Sequence, residues 1–215
     1  MREEYRVQLA LVGELLKEMA EAVGASMRTA SKALLERDRT AADEVLANEP
    51  EIDQLRNRLE DSTYELLALQ APVASDLRRV VTALHLAIDL ERMGDLAQHV
   101  ARAALRRLPD SAVAPELTEV FSGMAEIAAR MADKMAAVVE SRDADRAAEL
   151  EHDDDELDAL HRTMFTIMFS PDWQHGAEAA VDAALLGRYY ERYADHCVNA
   201  ATQIIYLVTG EYAAS

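Results

Sequence analysis

A single cysteine, Cys197, excludes an internal disulfide and fits a reducing compartment, so the cytoplasm is the expected location. Seven glycines and five prolines in 215 residues leave few points where regular structure must stop. Aromatic residues make up 5% of the chain, and runs of alternating β-branched residues are missing, which disfavours sheet. No apolar run approaches the roughly 18 residues that a membrane-spanning helix needs. The start, Met1-Arg2-Glu3-Glu4-Tyr5-Arg6, carries mixed charge rather than the apolar stretch of a secretion signal. Positive charge is also scarce: 22 lysines and arginines face 40 acids, a net charge of −18. Such a surface repels phosphate backbones and anionic lipid, so neither a nucleic-acid partner nor direct membrane insertion is expected. Phosphate-cradling glycine loops, Gly-x-Ser-x-Gly elbows and nucleotide fingerprints are absent, and an enzyme is not expected.

What is present is helix. Ala, Leu, Glu and Arg dominate, and all are strong helix formers. Residues 1–37 read as one helix, with Leu9, Val12, Leu16, Met19 and Val23 at spacings of three and four. Asp38 is the expected cap of a second helix, which runs to about Leu69 with Pro50 kinking or breaking it. Pro72 is placed in the first turn of a third helix ending near Arg107. Pro109 and Pro115 bracket a linker. A fourth helix runs to about Glu140, Asp143 caps a fifth to about Phe169, and a sixth runs to Val208, with Gly210 as its stop.

The chain repeats itself. Met19-Ala20-Glu21 recurs as Met124-Ala125-Glu126, Arg37-Asp38 as Arg142-Asp143, and Ile52-Asp53-Gln54-Leu55 as Leu157-Asp158-Ala159-Leu160, all at an offset of 105. Leu90-Glu91-Arg92-Met93-Gly94-Asp95 then recurs as Tyr190-Glu191-Arg192-Tyr193-Ala194-Asp195 at an offset of 100. The expected fold is all-α: two tandem pseudo-symmetric three-helix bundles, residues 1–108 and 116–215, joined by the linker 109–115.

Four Glu/Asp-x-x-x-Asp pairs occupy equivalent places in the two halves: Glu49 with Asp53, Glu91 with Asp95, Asp154 with Asp158, and Glu191 with Asp195. Residues four apart share one helix face. Two charges 6 Å apart at an effective dielectric near 20 repel by roughly 3 kcal/mol, so facing pairs call for a cation. These eight acids are the candidate metal ligands, because hard divalent and trivalent ions take several oxygen donors. His99 follows Asp95 by four and extends the stripe, while Asn199 stands at the equivalent place. His85, His152, His161, His175 and His196 lack zinc spacing and read as ordinary polar or core-edge residues. Arg102, Arg106 and Arg107 form a local basic cluster suited to an acidic partner or to plain solvation.

These features resemble the PhoU family of bacterial phosphate-transport and phosphate-signalling accessory proteins. The residues that carry the resemblance are Ala71-Pro72-Val73-Ala74-Ser75-Asp76-Leu77-Arg78, Asp89-Leu90-Glu91-Arg92-Met93-Gly94-Asp95, Glu191-Arg192-Tyr193-Ala194-Asp195-His196 and the ending Ile205-Tyr206-Leu207-Val208-Thr209-Gly210-Glu211. The resemblance implies six helices in two bundles. It implies metal ions (iron, zinc, manganese or magnesium) on Glu49, Asp53, Glu91, Asp95, Asp154, Asp158, Glu191 and Asp195. It implies a regulator that restrains the phosphate-regulon sensor histidine kinase and acts with the ATPase of the phosphate ABC transporter. A homodimer, peripheral at the inner face of the membrane through its partners, belongs to the same expectation. Two other classes compete with it: a carboxylate-bridged metal bundle acting as oxidase or metal store, and a structural scaffold whose acids are all solvated.

Overall fold

The computed structural model describes residues 2–70 and 72–211. Met1 of the first helix, Ala71 of the Ala71–Arg78 stretch and residues 212–215 at the end of the second repeat lie outside the described residues. Seven α-helices follow in order: α1 (Arg2–Glu36), α2 (Arg39–Ala47), α3 (Glu49–Gln70), α4 (Ser75–Arg107), α5 (Thr118–Ser141), α6 (Ala144–Met168) and α7 (Gly176–Thr209). A single 3-10 turn, Pro115–Leu117, precedes α5, and no strand occurs among the described residues. The six expected rods are all there, the second being α2 plus α3.

Local chemistry sets the ends. Arg37 adopts a left-handed conformation at φ 58°, which stops α1, and Asp38 Oδ1 accepts the Ala41 N–H at 3.1 Å to start α2. The second half repeats the device: Arg142 sits at φ 55°, and Asp143 Oδ1 accepts from the Asp145 and Arg146 N–H groups at 3.0 and 3.1 Å. The recurring Arg-Asp dipeptide is therefore a helix stop followed by a helix cap. The second rod breaks at Asn48, and Pro50 lies in the first turn of α3, where its missing N–H leaves no partner short. Pro72 is not in the first turn of the next helix. α4 starts at Ser75, after Ala74 turns the chain at φ 50° without a side-chain cap. Gly210 ends α7 in the left-handed region, as expected.

The α1 stripe buries Val12, Leu15, Leu16, Met19, Val23, Met27 and Leu34, with Leu9 partly buried beside it. Met124, Met131, Met135 and Met164 fill the α5 and α6 faces of the same core. Cys197 is fully buried with Sγ 3.9 Å from Met93 Sδ; burial pushes its thiol up, so it packs and does not react.

Equivalent helices of the two halves meet in pairs: α1 packs on α5, and α4 on α7. These four form the centre. α3 lies outside against α1 and α4, and α6 lies outside against α5 and α7. Lys17–Glu140 and Arg28–Asp133, both 2.8 Å, tie α1 to α5, and His196 Nδ1 meets Asp89 Oδ1 at 2.9 Å between α7 and α4. Each outer helix thus packs on two central helices, once per half. Among the described residues no helix is long and apolar enough to cross a membrane.

Candidate metal centre

In the second half, α6 and α7 bring Asp154, Asp158, Glu191 and Asp195 into one electrostatic neighbourhood, with Asp154 at its centre. Burial, then repulsion from Asp158, Asp195, Asp155 and Glu191, pushes the Asp154 carboxyl up to about 6. Its Oδ1 is shut off from solvent and has no hydrogen-bond partner among the described residues. Asp153 next to it is more deeply buried, yet Arg130 Nε at 2.9 Å and Lys134 Nζ at 2.8 Å neutralise it. These two cations of α5 serve Asp153, with Glu156 and Glu149 beside it, and no ion pair reaches Asp154 among the described residues. Glu191 is likewise pushed up, by burial first and Asp195 second, against the pull of its ion pair with Arg188. Asp158 meets Arg162, 3.6 Å away on its own helix. His161 stands within the same neighbourhood: a positive charge on it eases the ionisation of Glu191. Its Nε2 is buried without a hydrogen-bond partner among the described residues, and its ring packs on Phe165 with centroids 5.2 Å apart.

The first half uses the same acids differently. Arg56 of α3 crosses to Glu91 of α4 at 3.2 Å and is anchored by Glu60 at 2.9 Å. Its charge is held by Glu60 first, with Glu91 and Asp53 adding to it. Arg92 pairs with Asp95 at 3.0 Å, and Arg102 reaches Glu49 at 3.5 Å. Asp53 is exposed. His99 lines one groove with Asp95 and Arg92 and stacks on Tyr189 of α7, with ring centroids 5.1 Å apart. The basic cluster is spent internally as well: Arg106 and Arg107 pair with Asp182, and Arg107 also with Glu178.

No three His, Cys, Asp or Glu side chains among the described residues already stand in ligating geometry. The second half still fits a metal ion on two counts. It holds a buried, unpartnered carboxylate oxygen, and its donor set is three further carboxylates with an imidazole nearby. Arginines stand on acids of both halves, Arg56 on Glu91 and Arg92 on Asp95 in the first, Arg188 on Glu191 and Arg162 on Asp158 in the second. His161 escapes a search for zinc spacing because its neighbours are carboxylates on another helix. The signal lay in the repeat, where the offset of 105 that aligns Asp53 with Asp158 also aligns Arg56 with His161.

The pattern of the PhoU domain matches this chain twice, over residues 16–104 and 121–204. The chain belongs to the PhoU family. The phosphate-specific transport system accessory protein PhoU homolog 2 of Mycobacterium tuberculosis is 42% identical over 212 residues, covering 99% of this chain and 100% of its own length. PhoU homolog 1 of Mycobacterium leprae is 41% identical over 212 residues, 99% of this chain and 96% of its own. The crystal structure of PhoU from Pseudomonas aeruginosa matches with a TM-score of 0.88 at 26% identity, over 96% of this chain and 100% of that one. The two-repeat all-α architecture is thus the PhoU fold. The PhoU relatives are named as accessory proteins of phosphate transport and not as enzymes.

Proposed function

We propose that this PhoU-family chain is a non-catalytic regulatory adaptor of phosphate homeostasis. It restrains signalling by the phosphate-regulon sensor histidine kinase and modulates the ATPase of the high-affinity phosphate transporter. In this reading residues 1–108 and 116–215 are its two repeats, joined by 109–115. It works in the cytoplasm as a homodimer, held at the inner face of the membrane by its partners. Full-length identity to phosphate-transport accessory proteins supports the role. The observation that carries the metal reading is the unpartnered, buried Oδ1 of Asp154 among Asp158, Glu191 and Asp195. A divalent or trivalent ion held by these four would offset most of their charge and cross-link α6 to α7. The chain's own part is to keep Arg130 and Lys134 occupied on Asp153, so that neither reaches Asp154.

The test is genetic and biochemical. Deleting the gene is expected to derepress phosphate-scavenging functions in rich phosphate, and the intact gene to restore repression. Unchanged expression after deletion removes the regulatory assignment. Purified protein is expected to carry iron, zinc or manganese by elemental analysis, and metal-free protein that takes up none removes the metal centre.

A further inference from the structure

We infer that the groove between α4 and α7 is a binding site for a phosphate group, free or at the end of a phosphate monoester. This stands apart from the metal reading, since only Asp95 of the eight candidate metal ligands lines the groove.

α4 and α7 run antiparallel, as the cross-pairs Arg107–Asp182, Asp89–His196 and His85–Gln203 show. The groove lies midway along them and is lined by three guanidiniums, those of Arg92, Arg188 and Arg192. Arg92 and Arg192 are equivalent residues of the two repeats at the offset of 100. A volume of about 400 Å3 suits a small ligand. On a chain with 40 acids against 22 lysines and arginines, three guanidiniums in one groove call for a reason. Like charges there repel, and an anion among them relieves the repulsion.

Two of the three are tethered by acids of their own helix. Arg92 Nη1 donates to Asp95 at 3.0 Å with Nε 3.6 Å from Glu91, and Arg188 Nη1 donates to Glu191. Each tether holds its guanidinium in place and leaves further N–H groups to give, since arginine carries five. Arg192 makes no ion pair among the described residues, although Asp195 follows it by three as Asp95 follows Arg92. Its whole fork is available to a ligand. A guanidinium gives two parallel N–H bonds, which match the oxygens of phosphate.

Acceptors in the same groove select among oxyanions. Asp95 is one, because an ionised carboxylate only accepts. His196 is a second: Asp89 Oδ1, 2.9 Å from its Nδ1, holds the proton of the neutral ring there and gives Nε2 the lone pair. Phosphate near neutral pH keeps a proton to donate to such groups. Sulfate keeps none, so the same acceptors repel it. The stacked His99 and Tyr189 rings also line the groove and offer an aromatic face to the remainder of a monoester.

The experiment uses the full chain with a chelator present, so that no metal ion bridges the ligand. Inorganic phosphate, adenosine monophosphate and sulfate are titrated separately by calorimetry, with the imidazole proton resonances as a local reading. Phosphate or the monoester is expected to bind saturably and to shift the His99 and His196 signals, and the tighter of the two identifies the source. Sulfate is expected to bind at least about tenfold more weakly. Arg192→Gln should weaken phosphate binding about tenfold or more at unchanged helicity, since the residue is exposed and unpaired among the described residues. Arg58→Gln, which removes the same charge from an exposed place on α3, should leave binding unchanged. Asp95→Asn should narrow the preference for phosphate over sulfate. Absence of saturable binding by both phosphate and the monoester overturns the inference and leaves the adaptor reading standing. Sulfate binding as tight as phosphate, or equal weakening by Arg58→Gln and Arg192→Gln, overturns it in the same way.

Discussion

Asp154 is the residue at which folding and function pull in opposite directions. Its carboxyl ionises near 3.8 when unfolded and near 6 when folded and metal-free. Between those values the folded chain holds the extra proton. The stability that this proton contributes is complete below about pH 4 and is lost as pH rises through 6. The shift corresponds to at most about 3 kcal/mol, reduced to about 1–2 kcal/mol by solvent screening of a group that is only half buried. Asp154→Asn is therefore expected to raise the stability of metal-free protein by about 1–2 kcal/mol at pH 7. It should flatten the pH dependence of the urea midpoint between 4 and 6, and it should reduce metal uptake. The two buried tyrosines of α7 make a second contrast. Tyr190 shares a 2.8 Å hydrogen bond with Ser31, whereas the Tyr193 hydroxyl has no partner among the described residues. Tyr190→Phe should cost about 1 kcal/mol in chemical denaturation because it strands a buried serine, and Tyr193→Phe should cost nothing or stabilise. The sequence located the four acids of the second half through their spacing. It did not show that Arg130 and Lys134 would choose Asp153 over Asp154, because that choice depends on which face of α6 meets α5.

At the scale of the element, the recurring Arg-Asp dipeptide makes a separate prediction. Arg37 is exposed and held at φ 58°, a conformation that costs a side chain about 1 kcal/mol and costs glycine nothing. Arg37→Gly is expected to stabilise the protein by about 0.5–1 kcal/mol, and Asp38→Ala to destabilise it by about 1 kcal/mol, both read from the urea midpoint. Helix ends were legible wherever a cap or a stop carried them, as at Asp38, Asp143 and Gly210. They were misplaced where no side chain did so: α4 begins at Ser75 because Ala74 turns the backbone, and alanine gives no hint of that turn. His99 lies in one groove with Asp95, on the stripe its spacing predicts, but its stacking on Tyr189 was not legible, because it depends on which residue of the other half faces it.

At the scale of the molecule, the halves are fused along their equivalent helices. α1 and α5 approach so closely that a Cβ on Gly24 would lie 3.0 Å from the Ala132 Cβ. Gly24→Leu should force the pair apart and cost about 1–3 kcal/mol, seen as a lower urea midpoint and a lower melting temperature. The duplication was readable from the two offsets. The packing of like helices across the halves was not, because it rests on which faces meet, as at Gly24 and Ala132.

A body built from two identical flanks could be gripped in either of two orientations with equal free energy. The contrast between α3, tied to α4 by Arg56 and Glu91, and α6, whose Asp153 is tied to α5 by Arg130 and Lys134, removes that degeneracy and gives the duplicated chain a head and a tail.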